Sequence, residues 1–248
     1  GWKESARLKA SGIVFQPAVN EDLAATAVWG SQQFDLVDNP TVDGVFAMWY
    51  GKGPGVDRSG DPMKHGNLFG AHRHGGVLVV YGDDHPGKSS TVAHQSEQAL
   101  AANSIPTFYP ANVSEILEYG LAGWALSRYS GLWVGLKTVN ETVEQTATVD
   151  FAALRQRFPL PEGPGLPQAA YQHSYNPQGD EVMLTRHRLP LAKKFLYASG
   201  LDRVALDGGA GGLGIVTSGK AYGDVCQALT PLGIDDQRAP DLGSSIYQ

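Results

Sequence analysis

The stretch with the most recognisable chemical spacing is VLVVYGDDHPGKSST, residues 77–91. Within it, Gly82–Ser89 matches G-x-x-x-x-G-K-[ST], the spacing of a loop whose backbone amides cradle phosphates between a strand and a helix. The apolar run before it predicts the strand, and we expect a helix to open behind it. However, Asp83 and Asp84 place carboxylates where a phosphate would lie, and like charges in contact repel by about 4 kcal/mol at an effective dielectric constant near 20. A strand-to-helix turn is therefore favoured, and a nucleotide-binding P-loop is kept as the alternative.

A carboxylate at residue 21 is the second candidate for chemistry. Asn20 is a favourable N-cap, and Glu21 and Asp22 fall in the first turn of the helix that follows, where negative charge complements the helix dipole. From the pattern alone Glu21 is such a first-turn acid, because nothing in its spacing makes it catalytic.

Two further motifs give weaker indications of dinucleotide binding and of metal chelation. GAGGLG at 209–214 has the G-x-G-x-x-G spacing of dinucleotide-binding loops, but it runs into an apolar strand instead of a helix, which predicts a turn between strands. His72 and His74 have the spacing of a chelating pair, but no acidic residues complete a recognisable ligand set. We therefore predict no metal ligands in this chain.

An α/β fold has to position these residues. From residue 12 to about 138, short apolar runs alternate with helical patterns, which is typical of βαβ units around a parallel sheet. The runs are apolar without alternation, so we expect helices on both faces of the sheet. The predicted strands are IVF (13–15), GVFAMWY (44–50), VLVVY (77–81), PTFYP (106–110) and LWVGLKTV (132–139). The predicted helical stripes are Leu23, Ala27, Gly30 and Phe34, then Val113, Leu117, Leu121 and Trp124, with Asn112 and Glu115 spaced as a capping box.

The pattern changes after residue 151, where we place a domain boundary. Residues 158–181 carry Pro and Gly at a density that should sustain neither helix nor strand, so 152–189 is predicted to be a linker or an extended arm. Residues 190–248 then begin a second α/β unit. Its predicted elements are a helix at 190–199, the strands RVALD and LGIVTSG, and a helix from about 220.

Composition narrows the function classes. Hydrophobic residues make up 42% of the chain and charged residues 18%, which indicates a globular protein. The net charge of −6 argues against a nucleic-acid or anionic-membrane surface, and no apolar run is long enough to predict a membrane span. Cys226 is the single cysteine, which excludes an internal disulfide or a Cys-ligated iron–sulfur cluster within these residues. We expect a cytoplasmic protein whose partners are small molecules or proteins.

Three stretches together resemble a known family: IVFQPAVNEDLAATAVWGSQQ, GVFAMWYGKGPGVDRSGDPMKHGN and RHGGVLVVYGDDHPGKSSTVAHQSEQ. They are similar to the N-terminal part of the long, fused indolepyruvate ferredoxin oxidoreductases, which are thiamine-diphosphate-dependent 2-oxoacid:ferredoxin oxidoreductases. The resemblance runs from about residue 12 to 150. It continues more loosely through LDRVALD and LGIVTSGKAYGDVCQAL, where a domain like the C-terminal domain of transketolases would begin.

The resemblance implies that residues 1–151 form a pyrimidine-binding thiamine domain without its first strand. In this family the Glu of the N-E pair lies against N1′ of the cofactor's aminopyrimidine and favours the imino form that starts catalysis; here that residue is Glu21. Lys52 or Arg73 would meet the substrate carboxylate. The cofactor-binding residues implied by the resemblance are Glu21, Lys52, Gly53, Gly55, Asp83, Asp84 and His85.

The implied activity is the oxidative decarboxylation of an aryl 2-oxoacid to an acyl-CoA, with reduction of ferredoxin. The G-D-G…N motif for magnesium and diphosphate is absent, as are the cysteines for a [4Fe–4S] cluster. We therefore expect an N-terminal fragment that is inactive alone, with those groups held by other domains of the same or a second subunit in an oligomer. A catalytically inert scaffold with the same fold is the non-enzymatic alternative.

Overall fold

The computed structural model describes residues 2–33, 36–154, 158–163, 165–166, 176–209 and 212–248. Its centre is a parallel four-stranded sheet with the strand order β1-β2-β4-β3. The strands are β1 (Phe46–Lys52), β2 (Gly76–Asp83), β3 (Thr107–Phe108) and β4 (Trp133–Val139). Helices lie on both faces of this sheet, so the predicted α/β class is confirmed.

Alternating side chains of β2 divide the core into two layers. Val77 and Val79 point to one layer, and Leu78 points to the other, as the period of two in a strand requires. The first layer is covered by α2 (Glu21–Gln32), α3 (Gly53–Arg58), α4 (Gly60–Phe69) and α5 (Glu97–Ala102). The second is covered by α6 (Val113–Ser130). The short helices α1 (Ser5–Ala10), α7 (Asn140–Val143) and α8 (Phe151–Leu154) complete this part of the chain.

The helices α2 and α6 begin where their sequences predict. The Asn20 side chain accepts a hydrogen bond from the Leu23 amide at 3.0 Å, and Asn112 accepts one from the Glu115 amide at 3.0 Å. The Glu115 carboxylate in turn accepts a hydrogen bond from the Ala111 amide at 2.7 Å. Both caps are confirmed, and Glu115 closes its capping box one residue earlier than the usual pattern.

The predicted apolar stripes mark the buried faces of these helices only in part, since Val113 and Trp124 of α6 are half-buried and Trp124 packs against the second core layer. Leu23, Ala27 and Gly30 of α2 are exposed, and Phe34 lies outside the described residues. The helix instead turns Ala25, Val28 and Trp29 toward the sheet. In α6, Leu117 and Leu121 are exposed, whereas Tyr119, Ala122 and Leu126 are buried. A stripe of apolar residues was therefore a poor guide, because small residues such as Ala25 and Ala122 allow the closer approach to the sheet.

The predicted strand at 13–15 is wrong. Ile13 and Val14 are exposed, and none of the described strands pairs with this segment. β1 is accordingly an edge strand, and Phe46, Met48 and Tyr50 on one of its faces are exposed. We call these three exposed side chains the β1 apolar surface.

The segment 152–189 is partly helical, although its Pro- and Gly-rich residues 158–181 were predicted to sustain neither helix nor strand; its role as a linker or an extended arm stays a prediction. Its described residues include α9 (Pro177–Met183), which continues through a π-helical turn (Leu184–Arg188) into α10 (Leu189–Ser199). Pro177 occupies the first turn of α9, where a proline needs no hydrogen-bond partner for its nitrogen. Residues 155–157, 164 and 167–175 of the arm lie outside the described part of the chain.

The helix α10, predicted for the second domain, packs on the first sheet. Ala192 and Phe195 join Leu78 and Leu126 in the second core layer, and Leu184 of the π-helical turn joins them. The boundaries near residues 152 and 190 stay predictions.

The buried side chain of Arg188 fastens this arm to α4. Its guanidinium donates hydrogen bonds to the carbonyl oxygens of Asn67, Leu68 and Phe69 at 3.3, 2.7 and 3.1 Å. These carbonyls belong to the last turn of α4, where backbone acceptors lack helical partners and a cation is favourable. Arg188 therefore caps one helix from another.

A smaller sheet follows, with the order β5-β7-β6. Its strands are β5 (Val204–Leu206), β6 (Leu213–Val216) and β7 (Ser244–Tyr247), and its helices are α11 (Lys220–Leu229) and α12 (Ala239–Leu242). The strands β5 and β6 and the helix α11 match the predictions, whereas β7 was not predicted. The turn GAGGLG leads into β6 as expected, although its residues 210 and 211 lie outside the described ones. Gln248, directly after β7, joins the smaller sheet to α6, since its side-chain amide donates to the Glu115 carboxylate at 2.9 Å.

Replacing Arg188 tests the attachment of the arm. Arg188→Met should lower the free energy of unfolding by about 3 kcal/mol, because it leaves buried carbonyls at the end of α4 without donors. Urea unfolding followed by circular dichroism measures this. Arg186→Met, on an exposed side chain of the same turn, is the matched control and should change stability by less than about 0.5 kcal/mol. Equal effects of the two variants would contradict the capping role.

Candidate functional site

The carboxyl edge of the main sheet gathers most of the residues selected from the sequence. Because β1 and β2 are parallel neighbours, the loops that follow Lys52 and Asp83 leave the sheet side by side. The start of α2, at Glu21, reaches the same place through its contact with α3. Arg73 precedes β2 and therefore lies at the opposite, amino edge of the sheet. The structure does not bring Arg73 together with the other predicted site residues.

Glu21 is held at this edge through its backbone and its side-chain stem. The indole nitrogen of Trp49 in β1 donates a hydrogen bond to the Glu21 carbonyl oxygen at 3.0 Å. The side chain lies against α3, where a β-carbon on Gly55 would be only 2.7 Å from Cγ of Glu21. Any larger residue at 55 would displace Glu21, so glycine at this position serves the close approach of the two helices.

The carboxyl group of Glu21 differs from that of its neighbour. Asp22 is paired with Arg58 of α3, with 2.9 Å between Nε and Oδ1. Among the described residues, the half-buried Glu21 carboxyl has neither a hydrogen-bond nor an ion-pair partner. An acid in the first turn whose only role was to complement the helix dipole could equally be paired with a cation, as Asp22 is with Arg58. The intermediate exposure of Glu21 leaves its carboxyl group accessible to solvent or to a bound molecule.

On the other side of the first turn of α3 lies His94, which is not among the site residues predicted from the sequence. A β-carbon on Gly53 would be 2.4 Å from Cβ and Cγ of His94. Nδ1 of His94 is 3.1 Å from the Val92 carbonyl oxygen, and Nε2 is 3.4 Å from the Asp57 carboxylate. His94 is 41 residues from Gly53 and follows no periodic pattern, so only the folded chain reveals the contact.

Lys52 has a structural contact that was not anticipated. Its ammonium group donates a hydrogen bond to the Ser89 carbonyl oxygen at 2.6 Å. In this arrangement Lys52 fastens the loop after β2 to the end of β1. Its predicted contact with cofactor or substrate stays a prediction and would require this bond to open.

The loop Gly82–Ser89 does not have the architecture of a P-loop. No helix opens behind it, because α5 begins only at Glu97, and that expectation was wrong. The Asp84 carboxylate accepts a hydrogen bond from the Ser89 amide, and this bond, with smaller contributions from the Lys88 and Gly87 amides, holds the pKa of Asp84 below its ordinary value. The amides that would cradle a phosphate thus bind the chain's own carboxylate. His85, on the same loop, is exposed.

Asp83 points into the protein and not into an open cleft. Its carboxylate accepts hydrogen bonds from the Ser96 hydroxyl at 2.6 Å and the Ser96 amide at 2.9 Å, and it lies 3.3 Å from the Lys137 ammonium. Lys137 also donates to Glu97 at 2.8 Å. Burial, the largest single influence, raises the pKa of Glu97, but the hydrogen bond and the charge of Lys137, together with further hydrogen bonds, lower the pKa below its ordinary value. A lysine inside the apolar run LWVGLKTV was the sequence signal for this cluster.

Two negative findings apply to the described residues. No three His, Cys, Asp or Glu side chains there lie close enough together to hold a metal ion. None of the helices in the described ranges is both long and apolar enough to cross a membrane.

Comparison with known proteins shows similarity to a distant relative. No family model matches the sequence. The chain is 25% identical over 230 residues to the indolepyruvate oxidoreductase subunit IorA of Methanothermobacter marburgensis. The match covers 92% of this chain but 35% of the relative, so the chain spans about a third of the relative's length.

The pH dependence of the Ser89 amide tests the Asp84 contact. Because the folded pKa of Asp84 lies below its ordinary 3.8, the contact should be intact above that pH and be lost as the pH falls through the folded pKa. Following the Ser89 amide signal by NMR should give a midpoint below 3.8. Asp84→Asn should remove this titration. A midpoint at or above 3.8 would contradict the contact.

Nucleotide binding can be tested separately. Calorimetric titration with magnesium ATP should show no binding in the micromolar range, because Asp84 occupies the amides a phosphate would need. A micromolar affinity that Lys88→Ala abolishes would establish the P-loop alternative instead.

Proposed function

We propose that this chain is the pyrimidine-binding part of a thiamine-diphosphate-dependent 2-oxoacid:ferredoxin oxidoreductase. The substrate class is an aryl 2-oxoacid such as indolepyruvate, and the products are an acyl-CoA, carbon dioxide and reduced ferredoxin. The distant similarity to a subunit named as an indolepyruvate oxidoreductase supports this class of reaction.

One observation carries the proposal: the half-buried carboxyl of Glu21 lies at the carboxyl edge of a parallel sheet and has no partner among the described residues. Gly55 leaves room for that side chain, and Trp49 fixes its backbone. A planar nitrogen heterocycle such as an aminopyrimidine presents a ring nitrogen that a carboxylic acid can hydrogen-bond. The residues present therefore fit this end of the cofactor.

The chemistry supplied by bound thiamine diphosphate is the removal of carbon dioxide from the 2-oxoacid. In this proposal Glu21 holds a proton at N1′ of the aminopyrimidine, a charge-assisted hydrogen bond of roughly 1.5–3 kcal/mol. Gly53 and Gly55 keep α3 close to Glu21, and Trp49 keeps the start of α2 against β1. Lys52 is retained as a candidate for the substrate carboxylate.

The described residues fit the cofactor's diphosphate end poorly. The loop after β2 carries Asp83 and Asp84, and the amides of Lys88 and Ser89 are turned onto Asp84. We therefore propose that magnesium and the diphosphate are held by another domain of the same or a second subunit. The [4Fe–4S] cluster and the contacts with coenzyme A and ferredoxin belong to that larger, oligomeric and cytoplasmic assembly.

Glu21→Gln in the complete enzyme tests this assignment. Turnover should fall about 10²- to 10⁴-fold, because the amide cannot hold the proton at N1′, while the melting temperature stays near that of the parent. Steady-state assays with indolepyruvate and ferredoxin measure the loss.

Asp22→Asn is the matched control, since Asp22 belongs to the same first turn but is paired with Arg58 on the surface. It should leave turnover within about threefold of the parent. Equal activity of Glu21→Gln and the parent would show that Glu21 is only a first-turn acid. Failure of the complete protein to bind thiamine diphosphate would favour an inert scaffold.

A further inference from the structure

We infer that His94 is a positioning residue for Glu21 and acts on it through the first turn of α3. This inference deepens the proposed function and rests on it for its catalytic consequence. The structural coupling between the two side chains can be tested independently of that consequence.

The first turn of α3 is wedged between the two side chains. The space for a β-carbon on Gly53 is filled by His94, whose Cβ, Cγ and Cδ2 atoms would be 2.4, 2.4 and 2.6 Å away. The space for a β-carbon on Gly55 is filled by Glu21, whose Cγ would be 2.7 Å away. Positions two apart in a helix point about 200° apart, so the two side chains press on opposite sides of the turn.

The ring of His94 is fixed at both nitrogens. Nδ1 faces the Val92 carbonyl oxygen at 3.1 Å, and Nε2 faces the Asp57 carboxylate at 3.4 Å. Asp57 belongs to α3 itself. His94 therefore contacts this helix twice, by packing on Gly53 and through its Nε2 atom near the Asp57 carboxylate. Only 13% of the His94 side chain is exposed.

The backbone that carries His94 is anchored at both ends of its loop. At one end, Ser89 is held by Lys52 and Asp84. At the other end, Ser96 is held by both oxygens of Asp83, which lies 3.3 Å from the buried Lys137. A substitution at Lys137 would therefore alter the contact of Asp83 with Ser96, and the backbone would carry the displacement to His94, two residues away.

A series of side-chain contacts, joined by two short stretches of backbone, thus leads from β4 to the candidate acid. It runs from Lys137 to Asp83, through Ser96 and His94 to the first turn of α3, and from Gly55 to Glu21. Loss of the ring would allow α3 to move toward the space it vacates and release the stem of Glu21. Small displacements of a reacting group cost up to about 10²-fold in rate, so the position of α3 bears on turnover.

A double-mutant cycle in the complete enzyme tests the inference. His94→Ala should lower kcat roughly 10- to 100-fold, with the KM for the 2-oxoacid changed less than about threefold. In the Glu21→Gln background the same substitution should cost less than about twofold, because the residue on which it acts has already lost its function. Additive losses would overturn the inference.

Three further variants separate positioning from folding. His94→Phe keeps a ring against Gly53 and should recover most of kcat, whereas Lys137→Met, at the far end of the series, should resemble His94→Ala. His187→Ala, on an exposed histidine, is the matched control and should leave kcat unchanged. If His94→Ala lowers only the melting temperature and not kcat, the role is structural and the inference fails.

A readout without catalysis distinguishes failure of this inference from failure of the proposed function. Hydrogen exchange of the α3 amides in the complete protein should be faster in His94→Ala than in the parent, and His94→Phe should restore protection. Unchanged exchange would refute the coupling. Suppose that exchange is faster in His94→Ala but that Glu21→Gln loses no turnover. The structural coupling would then stand, whereas the proposed function and with it the catalytic role of His94 would be refuted.

Discussion

The buried ion pair of Asp83 and Lys137 is the interaction on which the candidate site depends. It joins the carboxyl ends of β2 and β4, and its side chains are nearly inaccessible to solvent. A buried ion pair is tolerated only when its remaining lone pairs and N–H groups are satisfied; here Ser96 donates to the Asp83 carboxylate and Glu97 accepts from the Lys137 ammonium group. The start of α5 and the loop before it are thereby fixed to the sheet.

That loop explains why three separate segments converge at one edge. It closes over Lys52 and brings His94 against Gly53, while α2 brings Glu21 against Gly55. Because Gly53 and Gly55 have no β-carbons, the side chains of His94 and Glu21 occupy the space beside α3 at these two positions. The backbone around Glu21 is held by contacts that do not involve its carboxyl group, which has no partner in the part of the chain that the structure describes.

Local signals in the sequence predicted the scaffold better than the contacts at the site. Strand runs and helix caps depend on residues that are close in sequence. The runs that form β2 and β4 and the caps at Asn20 and Asn112 could therefore be predicted from their spacing. The burial of α2 was misread because packing favoured Ala25 over the larger, exposed Leu23. His94 was missed since its contact joins residues distant in sequence, and the segment at 13–15 stayed out of the sheet since a strand requires a neighbour. From the sequence, Asp84 was expected to repel a bound phosphate. In the structure its carboxylate instead accepts the amide hydrogen bonds that a phosphate would need.

The β1 apolar surface has a consequence for handling the isolated chain. An outer strand with an open row of backbone donors and acceptors, flanked by Phe46, Met48 and Tyr50, invites adhesion between molecules in concentrated solution. Self-association of this kind would mimic ligand-induced changes in heat or light scattering. Particle mass measured over a dilution series is therefore the natural companion to every titration of this chain.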